Sequence, residues 1–373
     1  MAEGKYVKVG DVICPVIGEY GRVGDVIVPI ATNSMRIDDA IISIGIATVE
    51  LFVGEQASDR LYGIDDDEAD LDGWPVYAGG KYEDPSDVAC DSDGNSYWAC
   101  ANSVYKVGID GVQIWEVTAF TTPVLAICVD ADGFVYAGDF VGDVKCIHPT
   151  AVDDNPASPG FGEQLIVWTK SIRIDPFNPC TALAIDYSAG ILYGAFYNGA
   201  SEGRIYRFIS TNGNNSTIYN SNSTYGAVLG MGIDEDTPSL YIGTENGYLM
   251  KISIAGYVYW GDGSPRGGEI NSVRIGHDGY GYCIRGSERY VEKWDTDDGS
   301  NEWSVRPSAG EGRSLAVDQF GHVWASFQVA GSSINNKVRR YNSAGVEQYD
   351  WQPYLIAQMY CLAVVPGIKG AGF

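Results

Sequence analysis

Along most of the chain, short apolar runs alternate with polar or glycine-containing turns, and no stretch keeps apolar residues at i, i+3, i+4 and i+7. That alternation predicts short strands joined by tight turns. One phrase recurs: an apolar strand usually ending in Asp, a short polar or Gly turn, then an aromatic-rich strand. Its copies are DVACDSDGNSYWAC (87–100), LAICVDADGFVYAG (125–138), LAIDYSAGILYGA (183–195), MGIDEDTPSLYIG (231–243), VRIGHDGYGYCI (273–284) and LAVDQFGHVWAS (315–326). Their equivalent positions, Asp91, Asp130, Asp186, Asp234, Gly276 and Asp318, lie 39, 56, 48, 42 and 42 residues apart. A repeat of that length, with two further strand-like runs after each phrase, predicts four-stranded propeller blades.

The residue types have a physical logic. Small and apolar residues suit an innermost strand, where blades converge on a crowded channel. Asp and Gly close the first hairpin by side-chain-to-backbone bonding or positive φ. Large aromatics near the last strand of each unit, Trp115, Trp168, Tyr219, Trp260, Trp303 and Trp351, recur in register and fill the widening space between blades.

Six units account for residues 84–353. MYCLAVVPG (359–367) then matches an innermost strand, and residues 49–79 match the other three strands, with Trp74 in the recurrent aromatic position. Joined, they make a seventh blade shared between the termini, which removes open sheet edges. A rival count takes AIISIGI (40–46) as an innermost strand and leaves the C-terminal one redundant. The expectation is therefore an all-β chain: a seven-bladed β-propeller of four-stranded blades, closed by a composite N/C-terminal blade, over residues 36–373. Phrases such as LAVDQFGHVWAS and LAIDYSAGILYGA resemble propellers of the quinoprotein-like and NHL-like type, a likeness that implies the fold alone. The Gly-His and Trp-Asp signature of WD-repeat proteins is absent as a regular feature.

Residues 1–35 read differently. KVGDVICPV (8–16) and RVGDVIVPI (22–30) are a 14-residue duplication in which each Gly-Asp marks a turn between short strands. Such a unit is too small to bury a core alone. It either caps the propeller or docks on another protein, in which case Val9, Asp11, Val12, Ile13, Val23, Asp25, Val26 and Ile27 are the expected interaction residues. The string YVKVGDVICPVIGEYGRVGDVIVPIA is similar to the start of some small phage capsid-decoration proteins. That resemblance implies a non-enzymatic protein of a virion surface, anchored through residues 1–35 to other virion or assembly proteins, with the propeller available to a host-surface ligand.

Composition narrows the alternatives. Of 373 residues, 45% are apolar and 20% charged, enough for a large core. The net charge of −25 repels phosphate backbones and anionic lipid, so no nucleic-acid partner is expected. No apolar run is long enough for a transmembrane helix, and MAEGKYVKVGDVIC lacks a signal-peptide pattern, so classical secretion is not expected. The eight cysteines include no Cys-x-x-Cys pair and read mostly as buried thiols, with one disulfide between Cys90 and Cys100 as an alternative.

Candidate chemistry is sparse. Lyase-type propellers would use a His with a carboxylate and a bound metal near the channel mouth. His277 beside Asp278, with Glu311 and His322 a blade away, are the residues that would supply it, but turn decoration explains both histidines and is the preferred reading. Asp65–Glu68 and the run Asp295, Asp297, Asp298 before Gly299 are carboxylate clusters of a kind that can wrap calcium, but neither fits the spacing of an EF-hand loop. No cofactor is expected otherwise: the vicinal cysteines usual in quinone-dependent propellers are missing, as are nucleophile-elbow, P-loop and His-Glu-x-x-His patterns. The sequons at Asn214, Asn215 and Asn222 read as plain loop, and a free peptide- or glycan-binding propeller is the alternative function.

Overall fold

A computed structural model describes the strands between residues 6 and 43, and then residues 51–55, 59–64, 74, 76–77, 83–153, 162–172, 177–199, 202–234, 237–261, 267–307, 310–328, 337–351 and 359–364. The chain divides into two compact units, Met1–Thr48 and Val49–Phe373.

The smaller unit is a strand meander. Tyr6–Val9, Val12–Ile17, Tyr20–Val23 and Val26–Pro29 form one antiparallel sheet in chain order, and Ser34–Ile37 pairs with Ala40–Ser43. The duplication sets the register: Val9 pairs with Val12 and Val23 with Val26, so both copies make the same hairpin. Ala40–Ser43 therefore belongs to a separate two-stranded sheet, and the rival count of blades fails.

The larger unit is a seven-bladed β-propeller, each blade an antiparallel sheet of four strands. Blades 1 to 6 follow one another in sequence, with innermost strands Pro85–Cys90, Val124–Val129, Cys180–Asp186, Val228–Asp234, Ile270–Ile275 and Glu311–Val317. Blade 7 is the composite one: Met359–Val364 is innermost and pairs with Leu51–Glu55, followed by Arg60–Ile64 and Val76–Tyr77.

Buried residues gather into seven clusters, one at each interface between neighbouring blades. This follows from strand alternation: both faces of every blade are covered, so each sheet contributes side chains to two cores. Fully buried Trp98, Trp294 and Trp324 each contribute about 1.5–3 kcal/mol by leaving water.

The recurrent outer aromatics do more than fill space. Trp74, Trp115, Trp168, Trp260 and Trp303 each donate the indole N–H to a carbonyl of the next blade: Ile109 (3.1 Å), Pro149 (3.2 Å), Ser210 (2.6 Å), Thr296 (3.3 Å) and Ser343 (3.0 Å). Trp260 and Trp303 also lie on turn glycines of the neighbour, Gly299 (φ 75°) and Gly345 (φ 76°), where a β-carbon would clash with the ring. Tyr219 instead puts its hydroxyl 3.9 Å from the Met250 sulfur. The side chain of Trp351 lies outside the described residues.

Every innermost strand also carries a register shift near its start. Such bulges re-aim side chains. In blades 1, 3 and 5 the bulged residue is polar and reaches the next innermost strand: Ser86 donates to Val124 O (2.5 Å), Thr181 to Val228 O (2.6 Å) and Asn271 to Gly312 O (2.8 Å).

Candidate functional site

The Asp of the recurrent phrase is a turn-closing group. Asp91 Oδ1 accepts the N–H of Asp93 and Asn95, Asp130 Oδ1 those of Asp132 and Phe134, and Asp318 Oδ1 those of Phe320 and His322. The second oxygen takes an aromatic hydroxyl from the next strand, Tyr97 to Asp91 at 2.8 Å and Tyr136 to Asp130 at 2.9 Å. Burial is the main cause that pushes both phenols well above their ordinary range, and the adjacent carboxylate adds to it, for Tyr136 behind Cys146. In blade 5, where Gly276 holds the phrase position, Asp278 substitutes: it accepts from Tyr282 (2.6 Å) and from Lys293 Nζ (2.8 Å).

The histidines and Glu311 are not brought together. His322 Nδ1 lies 2.7 Å from Asp318 Oδ2 and 3.0 Å from Arg340 Nη2, so it takes the tyrosine's place in the same hairpin arrangement. His277 is exposed in the corresponding hairpin turn of blade 5. Glu311 begins the innermost strand of blade 6, at the opposite end from that turn, where its Oε2 meets Arg313 Nη2 at 3.0 Å. Strand direction separates the acid from both imidazoles, so the three do not form one site.

Asp295, Asp297 and Asp298 lie in the turn between the third and fourth strands of blade 5. Asp295 Oδ1 accepts the Asp297 N–H (2.7 Å) and Asp298 Oδ1 the Ser300 N–H (2.8 Å), and the Ser300 bonds hold the Asp298 carboxyl below its usual value. Thr296 O between them receives Tyr241, Lys251 and Trp260 of blade 4. The acidic turn is thus one half of an interblade latch. Among the described residues, no three His, Cys, Asp or Glu side chains converge as metal ligands; Asp65–Glu68 lie outside them. Cys90 and Cys100 do not face each other, because Cys90 pairs with Ser96 and Cys100 with Pro85 at opposite ends of the hairpin. The seven cysteines whose side chains are among the described residues are buried free thiols. Val9, Val12, Ile13, Val23, Val26 and Ile27 lie on the strands of the smaller unit, while Asp11, Asp25 and all of these side chains are outside the described residues.

The groups that do converge lie in the central channel. Pairing register aligns seven innermost residues opposite an aromatic of the second strand: Ala89, Cys128, Ala184, Gly232, Arg274, Ala316 and Ala363. Six are small and the seventh is an arginine. Two residues earlier the layer reads Asp87, Ala126, Ala182, Gly230, Ser272, Ser314 and Cys361. Again six are small, and the exception is an aspartate. Asp87 and Arg274 line a cavity of about 160 Å³, from blades 1 and 5, which are not neighbours in the ring.

Asp87 Oδ2 accepts the Ile127 N–H at 2.9 Å and Oδ1 its neighbour Val88 N–H at 3.0 Å. Arg274 Nη1 donates to Val273 O at 2.9 Å. Burial pushes the Asp87 carboxyl up to about 6, against the opposing pull of Arg274 and the two N–H groups. Burial likewise lowers the Arg274 pKa, against the charge of Asp87. Asp87 is only partly exposed, and all seven innermost strands contribute to the cavity that it lines. The Ser272 hydroxyl, in the same wall, is buried with no hydrogen-bond partner. Neither Asp87 nor Arg274 belongs to a recognised motif, although VRIG (273–276) set beside ICVD (127–130) and LAVD (315–318) puts Arg274 where those copies carry Cys128 and Ala316. The exposed aromatics Tyr257 and Tyr259 lie just before and within the outermost strand of blade 4, Val258–Gly261, and do not line the channel.

Comparison with known proteins identifies the fold and nothing finer. No protein-family model matches the chain, and no curated protein does. Solved structures do: 1595 chains match, as expected of a scaffold used for unrelated ends. Among them is a protein of unknown function from Bacteroides caccae, solved at 1.35 Å. It is 10% identical with a TM-score of 0.51, covering 85% of this chain and 99% of its own. A likeness at this identity is one of fold alone, and the activity of this chain has to be argued from its own residues.

Proposed function

We propose that this is a non-enzymatic structural or binding protein, anchored to a larger assembly by residues 1–35, with the propeller as the displayed part. The observation that carries the reading is the separate compact unit Met1–Thr48, in which each copy of the duplication builds an equivalent hairpin. A sheet this small needs an apolar partner surface, and the resemblance of its sequence to phage capsid-decoration proteins makes the surface of a virus particle the assembly of choice. The blades favour a scaffold over an enzyme: Asp91, Asp318 with His322, and Asp295 are occupied in closing turns, and Glu311 is engaged by Arg313 away from both histidines.

The test compares the full chain with a variant lacking residues 1–35. The full chain is expected to sediment with particles or as an assembly with its partner proteins. The truncated chain is expected to lose that association while keeping its cooperative unfolding. Association undiminished by the deletion would overturn the reading.

A further inference from the structure

We propose that the central channel is a binding site for a small zwitterion, a molecule of α-amino-acid size whose carboxylate meets Arg274 and whose ammonium meets Asp87. The inference stands independently of the assembly reading, because it concerns only the innermost strands.

Three observations point the same way. First, the two charges break an otherwise uniform rule. Of the fourteen positions in the two layers, eleven line the cavity; nine of these are alanine, glycine or serine, and the two charged exceptions come from blades on different sides of it. A channel needing only to be filled would be served by apolar side chains. Burying a carboxylate and a guanidinium is costly unless each is matched.

Second, neither charge satisfies the other through a shared hydrogen bond. Asp87 draws on two backbone N–H groups and Arg274 gives one bond to its neighbour's carbonyl. The space between the walls, about 160 Å³, is close to that of cavities that accept a benzene-sized guest (about 150 Å³). Third, a buried hydroxyl without a partner, that of Ser272, stands two residues before Arg274 in the same wall. Arg313 also lines the cavity but is matched by Glu311 at 3.0 Å, so it does not add an unmatched positive charge.

The charge arithmetic selects the ligand class. A simple carboxylate would satisfy Arg274 and be repelled by Asp87, and a simple amine would meet the reverse. A neutral polar guest would leave both charges desolvated. Only a molecule carrying both signs matches both walls at once, and the small cavity restricts it to a few heavy atoms.

The experiment is calorimetric titration and thermal unfolding of the full chain with glycine, β-alanine and γ-aminobutyrate, zwitterions of increasing charge separation. Acetate and methylamine are the single-charge controls. At least one zwitterion is expected to bind saturably and raise the unfolding temperature, as a ligand of the native state must. The Arg274→Met variant, which keeps an unbranched stem without the charge, is expected to bind it about tenfold to a hundredfold more weakly, the usual range for losing a charged hydrogen bond. If that variant does not fold, the near-isosteric Asp87→Asn decides the matter: it should lose the preference for the zwitterion and accept acetate instead. Absence of binding by all three zwitterions at millimolar concentration, equal binding of acetate and zwitterion by the wild-type chain, or unchanged zwitterion binding in Asp87→Asn would each overturn the proposal.

Discussion

A single carboxylate shows how far position alters chemistry in this protein. Asp91 and Asp87 are four residues apart on one blade. Asp91 closes a hairpin with its oxygens on backbone N–H groups and Tyr97, whereas Asp87 stands in the channel with its pKa pushed up to about 6 by burial. The sign of the linkage follows. The folded carboxyl binds its proton more tightly than the unfolded one, whose value is about 3.8. Its stabilising contribution is therefore full below about pH 4 and is lost as pH rises through about 6. Asp87→Asn removes that loss. The variant is expected to be more stable than wild type at pH 8 by about 1–3 kcal/mol, with the difference shrinking as pH falls from 6 towards 4. Paired urea titrations at several pH values would show it, and a difference independent of pH would count against the assignment.

At the scale of elements, the blades are held by what passes between them. Each of five tryptophans joins the outer part of one blade to the next by an indole hydrogen bond, while bulged Ser86, Thr181 and Asn271 do the same near the channel. Trp303→Phe keeps most of the ring and removes the N–H, leaving Ser343 O to water, so a cost of about 0.5–1.5 kcal/mol is expected. Close approach matters more. A β-carbon on Gly243 would lie 2.3 Å from Ile270 Cγ2 of the next blade. Gly243→Val is expected to cost at least about 1–3 kcal/mol through overpacking, read as a lowered urea midpoint with an unchanged m-value.

For the whole molecule, closure is the controlling fact. Met359–Val364 supplies the innermost strand of a blade whose other strands come from residues 51–77, so the first and last strands of the ring are hydrogen-bonded neighbours. Ending the chain at residue 358 would leave the edge of Leu51–Glu55 unpaired and remove Cys361 and Leu362 from two interblade cores. An unpaired edge recruits other chains. The shortened protein is expected to lose its single cooperative transition and to self-associate, seen by light scattering after size-exclusion chromatography; a monomer with wild-type unfolding would refute the account of closure.

Much of this architecture is legible in the residues themselves. The recurrent phrase, its spacing, the outer aromatics and the matching leftovers at 49–79 and 359–367 are local or additive features, and local chemistry dictates them: Asp and Gly for hairpins, alternation for strands, large rings for wide gaps. The duplication at 8–16 and 22–30 likewise sets the hairpins of the smaller unit through its own register. What only the tertiary structure decides is which side chains meet across the ring. His277, His322 and Glu311 look like a site in sequence but are held apart by the direction of the innermost strands. Asp87 and Arg274 look like ordinary strand residues and come within electrostatic reach of each other because seven innermost strands converge on one axis. Electrostatic coupling depends on distance through space, and in a ring of blades residues nearly two hundred positions apart in sequence face one cavity.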